Sequence, residues 1–410
     1  MPQLPFSNAR GRVARAPLAA LEFLTTEAGG AAMLLAAAVA ALVWANSPLR
    51  EAYESLWHLQ LDVGPLLPHP LDLREWVNEG LMTFFFLVVG LEIKREVVEG
   101  ELRELKRAVL PVIAATGGMV VPALVYLGFN AGGAVDGWGI PMATDIAFAV
   151  GLIGLFGARV PTSLKVFLLA VAIVDDIGAI IVIAVFYAGA IQWGSLAMAV
   201  LLVAGSAVIA GLGVPRRAPL RVALVLALAV AGWAAMIGSG VHATLAGVLF
   251  AFVLPGHGDE RHDALPERLE RRLHPWTSRL VLPAFALANA GVAVSGEAGR
   301  AALGSRVAVG VAAGLVVGKL FGVGGTAWLA TKLGVAEPPE GVTGPQMFAI
   351  SATAGIGFTV SLFIAPLAFQ DAALIEQAKV GILAGSLVAA LIGVVALALA
   401  TRPPRAMMDP

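Results

Sequence analysis

Along most of this chain the apolar residues run on without the two-residue alternation of a half-buried strand and without a continuous polar face. The runs last roughly 20 residues, the length a helix needs to cross a bilayer, and they end at short clusters of charge, Gly or Pro. The pattern predicts membrane-crossing helices near 27–47, 77–98, 107–128, 139–157, 163–187, 195–213, 219–238, 241–255, 276–294, 304–328, 345–367 and 378–400. The separation of 219–238 from 241–255 rests on Gly238-Ser239-Gly240. The expected fold class is an all-α polytopic membrane protein of about 12 transmembrane helices. The longest intervening stretch, 48–75, holds Pro65, Pro68 and Pro70, with short alternation around Gly64-Pro65. That permits a short β-hairpin, whose free edge could pair with another chain; an irregular loop is the alternative.

Charge orients these spans. If the N-terminus is cytoplasmic, the inner segments collect Arg10, Arg12 and Arg15, the Lys94–Arg107 cluster, Arg159, Lys165, Arg216, Arg217, Arg221 and the arginines of 261–279. The outer segments hold only Arg50, Arg74, Arg300, Arg306 and Lys379. Lys and Arg gather on the cytoplasmic side, so both terminal tails, 1–26 and 401–410, are expected there. No cleavable signal peptide is evident; the run from about Gly29 to Ala45 reads as the first helix. Composition agrees: of 410 residues 59% are hydrophobic and 13% charged, against about 25% charged in globular domains. The net charge of −1 gives no reason to expect a nucleic-acid partner, and zero cysteines remove disulfides and thiolate chemistry.

Against this background a few ionisable residues stand out. Asp175 and Asp176 interrupt the apolar run Val171–Val182. A carboxylate at that depth costs several kcal/mol unless it is protonated, paired or wetted. Adjacent helical residues point about 100° apart, so one acid can face water while the other meets a partner. Lys319, in Gly314–Gly322, is too central to reach the interface easily and should pair with an acid; its plain alternative is a salt bridge that only fixes packing. Asp145 follows Pro141 and Thr144, and Gly and Pro near a midpoint suggest an interrupted helix that frees backbone groups and aims half-helix dipoles at the break. A second candidate break lies at Gly355 and Gly357. Interrupted spans at matching places in two halves point to a transporter of inverted repeats, here 107–187 and 304–400 as a core bundle, with 27–98 and 195–294 as an interface bundle. Glu79 reads as an interfacial acid at the outer mouth, and His242, near a helix start, reads first as structural. Glu92–Glu96 and Glu267–His274 are charged clusters on the inner side, where paired acids could couple pH to opening.

Several long segments resemble the NhaA family of bacterial sodium/proton antiporters: Phe84–Glu96, Ala143–Ala149, Ala172–Ile180, Ser239–Gly247, Leu282–Gly291 and Gly355–Ser361. The likeness extends from about Glu27 to Ala400. It implies an electrogenic exchange of sodium, and lithium, for protons by alternating access, regulated by pH, in the bacterial inner membrane, with no cofactor beyond the transported ions. By resemblance, Asp176 is the principal sodium-binding carboxylate, and Asp175 is a proton carrier and the partner of Lys319. Asp145 and Thr144 sit at the crossing of two broken helices. Glu79 is the funnel acid, where the family usually has Asp. Glu92, Lys94, Glu96, His242, Glu270 and His274 match positions tied to pH response, and Arg271 stands where a His can occur. The resemblance also implies a homodimer formed through an outer hairpin, in contact with membrane lipid. Two other classes use carboxylates at membrane depth. A proton-coupled symporter of a small organic solute would need a larger polar pocket than these spans supply. An intramembrane aspartyl protease would use Gly256-His-Gly-Asp259, which falls in a charged loop.

Overall fold

The computed structural model describes residues 27–64, 67–212, 219–255, 265–294 and 296–401. The tails, Arg216, Arg217 and the Gly256–Asp259 segment lie outside them. The first helix is α1 (Glu27–Ala45), followed by the short helix α2 (Arg50–Trp57). Strands β1 (Gln60–Leu61) and β2 (Leu71–Asp72) pair antiparallel, Gln60 opposite Asp72 and Leu61 opposite Leu71, so the loop does contain a hairpin. Leu73–Glu75, a π-helical stretch Trp76–Leu81 and Met82–Val98 run on as α3, opened by a capping box between Asp72 and Glu75.

Next come α4 (Leu105–Asn130), a 3-10 segment Val135–Met142, α5 (Ile146–Gly154) and α6 (Thr162–Phe186). Helices α7 (Trp193–Gly211), α8 (Pro219–Ile237) and α9 (Leu245–Val253) follow. The expected break at Gly238–Gly240 is present; Gly240 has φ +80, a value that L side chains resist. Then α10 (Leu265–Trp276) passes through the π-helical Thr277–Val281 into α11 (Leu282–Asn289). The chain closes with α12 (Gly296–Leu303), α13 (Arg306–Lys332), α14 (Gly344–Thr353), α15 (Phe358–Ala368) and α16 (Ala372–Ala400).

Among the described residues, eight helices are long and apolar enough to cross a membrane, or nine if α14 and α15, bent by 50°, count as one span. The predicted spans 77–98, 241–255 and 276–294 are helical but fall outside that set. α9 begins only at Leu245, α11 ends at Asn289, and α3 carries a charged inner end.

Small residues decide how the helices meet, because in lipid association depends on close packing rather than on expulsion of water. α4 packs against the 3-10 segment, α6 and α13. A Cβ at Gly322 would run into the backbone of Gly117, and one at Gly318 into Pro122, so α4 and α13 approach at backbone distance. α3 packs on α9, and α1 on α11. The largest apolar cluster joins Phe86, Phe285 and Phe363 at the middle of the molecule; a second gathers Leu110, Leu164 and Ile350.

Candidate ion-binding site

The site is built where two helices stop. After the 3-10 segment the chain is extended at Ala143 and at Asp145 before α5 begins. The break thus falls just past Pro141 rather than at it: the proline lacks an amide for the α pattern, and the chain tightens into 3-10 there instead. α14 stops at Thr353 and α15 starts at Phe358. The two gaps cross. The Asp145 amide donates to Ile356 O (2.6 Å), Thr144 Oγ1 to Ala354 O (2.9 Å), and Ser361 Oγ to Ile140 O (2.6 Å). A Cβ on Gly357 would lie 2.8 Å from Ala143 O, which explains a glycine at the crossing.

One carboxylate serves both helix starts. Asp145 Oδ1 accepts from Phe148 N (3.1 Å), at the head of α5. Its Oδ2 accepts from Thr359 N (3.0 Å) and Thr359 Oγ1 (2.7 Å), at the head of α15. A negative charge between two helix N-termini answers both macrodipoles and their unpaired amides.

The aspartate pair lies across from this crossing, on α6. Lys319 Nζ meets Asp175 Oδ2 at 2.6 Å, with side-chain exposures of 0% and 1%. Lys319 stands between two π-helical stretches, Gly314–Gly318 and Leu320–Gly325. Gly118 on α4 faces this part of α13: a Cβ there would lie 2.6 Å from Val323 Cγ2 and in ordinary contact, 3.7 Å, with the Lys319 ammonium. Asp175 Oδ1 has no hydrogen-bond partner among the described residues, and Thr144 is its polar neighbour. Asp176 turns the other way. It lines a cavity of about 650 Å³ together with Thr144, Asp145 and Thr359; Glu92, Arg95, Lys165, Glu270 and His274 line the same cavity. Neither Asp175 nor Lys319 lines it.

The remaining sequence candidates separate into two groups. At the charged end of the cavity, Arg95 pairs with Glu270 (3.3 Å) and His274 lies 3.9 Å from Glu92. Burial pushes the Glu270 carboxyl above its ordinary range, with Arg95 pulling against it. Lys94 is not in this cluster. Its Nζ donates to the carbonyls of Ala251 (3.3 Å), Phe252 (3.0 Å) and Leu254, capping the C-terminus of α9. Glu96 is also elsewhere, accepting from Glu101 N at 3.1 Å in the turn after α3.

At the opposite end Glu79 and His242 come together. Nδ1 lies 3.2 Å from Glu79 Oε1, and Glu79 Oε2 accepts from Ala243 N at 2.9 Å. Glu79 is therefore a partnered, part-buried acid and not the solvated interfacial one expected. Lys379, counted among outer charges, is 5% exposed and lies 3.4 Å from Glu376. Sequence reasoning missed Thr359, Arg95 and Tyr187. Thr359 had a legible signal, a hydroxyl in the first turn after the Gly355–Gly357 break; the other two depend on tertiary approach.

A multi-pass helical membrane protein with a cavity-lining carboxylate beside a buried Asp–Lys pair, at crossed helix ends, is an ion-coupled carrier in its class and not an enzyme. The chain belongs to the family described as Na+/H+ antiporter 1, whose model matches residues 21–397. It is 48% identical to a Na(+)/H(+) antiporter NhaA of Yersinia enterocolitica over 385 residues, covering 92% of this chain and 96% of that one. It is also 48% identical to a protein of the same name from Yersinia pseudotuberculosis over 378 residues, covering 91% and 94%.

Proposed function

We propose that this chain exports sodium, and lithium, across a bacterial inner membrane in exchange for protons, by alternating access and with more protons than sodium ions per cycle. The observation that carries the reading is Asp176 lining the cavity while its neighbour Asp175 is held by Lys319. A carboxylate holds either a proton or a cation, so the two ions compete for one site. Asp175, with Thr144 as its polar neighbour and Lys319 as its cation, can take up a proton when Lys319 lets go. Each unit charge moved is worth about 2.3 kcal/mol per 100 mV, which lets the membrane potential drive the exchange. The cavity carries Arg95, Lys165 and Arg279, and Lys and Arg favour the cytoplasmic side, which supports a cavity that faces the cytoplasm with both termini inside. The outer hairpin, with two-residue strands and free edges, suits pairing with a second copy.

Everted vesicles test the reading. Sodium should alkalinise a preformed acidic lumen, and Asp176→Asn should abolish that response. Normal sodium-dependent flux in the variant would overturn the site assignment. A response to an organic solute instead of sodium would favour a proton-coupled symporter.

Regulation by pH follows from hydrogen-bond inventory. His242 Nδ1 faces the Glu79 carboxylate, and Nε2 lies 3.2 Å from Tyr187 O, a carbonyl that can only accept. Satisfying both contacts requires one proton more than a neutral imidazole and a carboxylate hold together. In that state His242 ties α9's lead-in and α3 to the end of α6. Losing the proton as pH rises breaks one contact and loosens the outer closure. Alkaline activation is the expected direction.

A further inference from the structure

Tyr187 links the outer closure to the ion-binding crossing. It follows the last residue of α6, eleven residues past Asp176 in the sequence. Its carbonyl is the contact of His242 Nε2 (3.2 Å). Its hydroxyl accepts from Gly139 N (3.0 Å) and donates to Asp136 O (2.8 Å), both in the 3-10 segment that leads into Thr144 and Asp145. The ring is fixed as well: Trp138 stacks on it at 6.1 Å and 28°. A Cβ at Gly139 would lie 2.6 Å from its hydroxyl oxygen, so the backbone comes as close as the chain permits. Thus one residue touches the histidine through its main chain and the interrupted span through its side chain.

We propose that Tyr187 is a positioning residue that carries the protonation state of the Glu79–His242 pair to the interrupted span, setting the pH at which the Thr144–Asp145 crossing is released to move. This rests on the pH reading above. With the extra proton present, His242 holds the Tyr187 carbonyl, and the Tyr187 hydroxyl holds Gly139 and Asp136. When the proton leaves, the end of α6 keeps its main-chain ties, Gly189 N to Gly240 O (2.8 Å) and Gln192 N to Ser239 O (2.8 Å), but loses the histidine's hold on Tyr187, and the 3-10 segment is loosened with it. The titratable groups around this node are Glu79 from α3, His242 ahead of α9, Asp136 from the 3-10 segment, Tyr126 from α4 and Tyr187 itself. Tyr126 anchors the same segment independently, its hydroxyl donating to Ala134 O (2.6 Å). Removing the Tyr187 hydroxyl therefore uncouples the segment without detaching it.

The test is the pH profile of sodium-driven proton flux in everted vesicles for wild type, Tyr187→Phe, His242→Ala and the double variant. Tyr187→Phe keeps the ring and the carbonyl. It is expected to move the activation midpoint toward acid by about one pH unit, the equivalent of one modest interaction. His242→Ala is expected to move it the same way, and the double variant by less than the two shifts together, because both lie on one path. A midpoint unchanged in Tyr187→Phe, or shifts that add fully, would overturn the inference. If His242→Ala leaves the midpoint in place, the pH reading itself fails, a distinguishable result. Amide hydrogen exchange gives a second readout that needs no flux. After correction for intrinsic pH dependence, protection of residues 137–142 should fall as wild type passes its midpoint and be low throughout in Tyr187→Phe. Equal protection in the two proteins at acid pH would also overturn the proposal.

Discussion

The Asp145 carboxylate accepts three hydrogen bonds and caps two helices, and it is 2% exposed. Asp176, also buried, lines the cavity and is the acid left free to change partners. The difference between the two acids is thus one of hydrogen-bond supply, not of residue type. Glu270, outside the spans, offers a simpler titration. Burial raises its carboxyl above the unfolded value, so the folded protein holds that proton more tightly than the unfolded chain. The stability this contributes is complete below the unfolded value of about 4.3 and is lost as pH rises through the raised folded value. Glu270→Gln cannot lose a proton and escapes that loss. The unfolding temperature of the variant in detergent, relative to wild type, should therefore climb across that window and level off above it. A difference that stays flat would show that Arg95 balances burial at this carboxylate, and one that falls as pH rises that Arg95 outweighs it.

Among the elements, the joint between α3 and α9 is one that a single substitution can open. A Cβ on Gly247 would lie 3.0 Å from Leu87 N and nearer still to Thr83 O; one on Gly90 would lie 2.9 Å from Ala251 Cβ. Neither obstacle at Gly247 is a flexible side chain. Gly247→Val should therefore cost about 1–3 kcal/mol by overpacking and also pull Lys94 from the α9 carbonyls. Thermal unfolding in detergent measures the loss, and an unchanged transition would mean that the two helices can slide apart freely. Neither this contact nor the π-helical stretches flanking Lys319 was legible beforehand. Glycine is common in membrane helices, and a π stretch leaves no composition signature until the helices opposite are known. The two interruptions were legible, because Pro141 and the Gly355–Gly357 pair bear directly on the backbone. Their crossing was not, since the Asp145–Ile356 bond joins residues far apart in the chain. The charged ends were half legible. Sequence grouped Lys94 and Glu96 with Glu92, yet a step of two residues on a helix turns Lys94 away from Glu92. Glu96, one turn further on along the same face, is taken up by Glu101 N in the turn after α3, so of the three Glu92 alone lines the cavity.

At the scale of the whole molecule, alternating access requires part of the protein to move against the rest, and the outer surface shows where that motion would register. Arg74 pairs with Glu54 of α2 at 3.2 Å, and Lys379 of α16 pairs with Glu376 at 3.4 Å. The two pairs sense each other, as Lys379 feels both Arg74 and Glu54. Nothing in the sequence pattern joined the 48–75 loop to the last helix; their proximity comes from the fold alone. Because the chain contains no cysteine, the joint can be tested with no background from native thiols. Glu54→Cys combined with Glu376→Cys, bridged by a flexible bismaleimide, should hold α16 to the 48–75 loop in the arrangement of this structure. Sodium-driven proton flux should then stop on cross-linking. Either single variant treated with the same reagent should keep its flux, which separates arrest by the bridge from damage by alkylation. Full flux in the bridged protein would mean that α2 and α16 travel together, and that the moving boundary runs elsewhere, between α3 and α15 where Phe86 meets Phe363 at 5.3 Å. A pair placed across that aromatic contact would then be the one expected to arrest exchange.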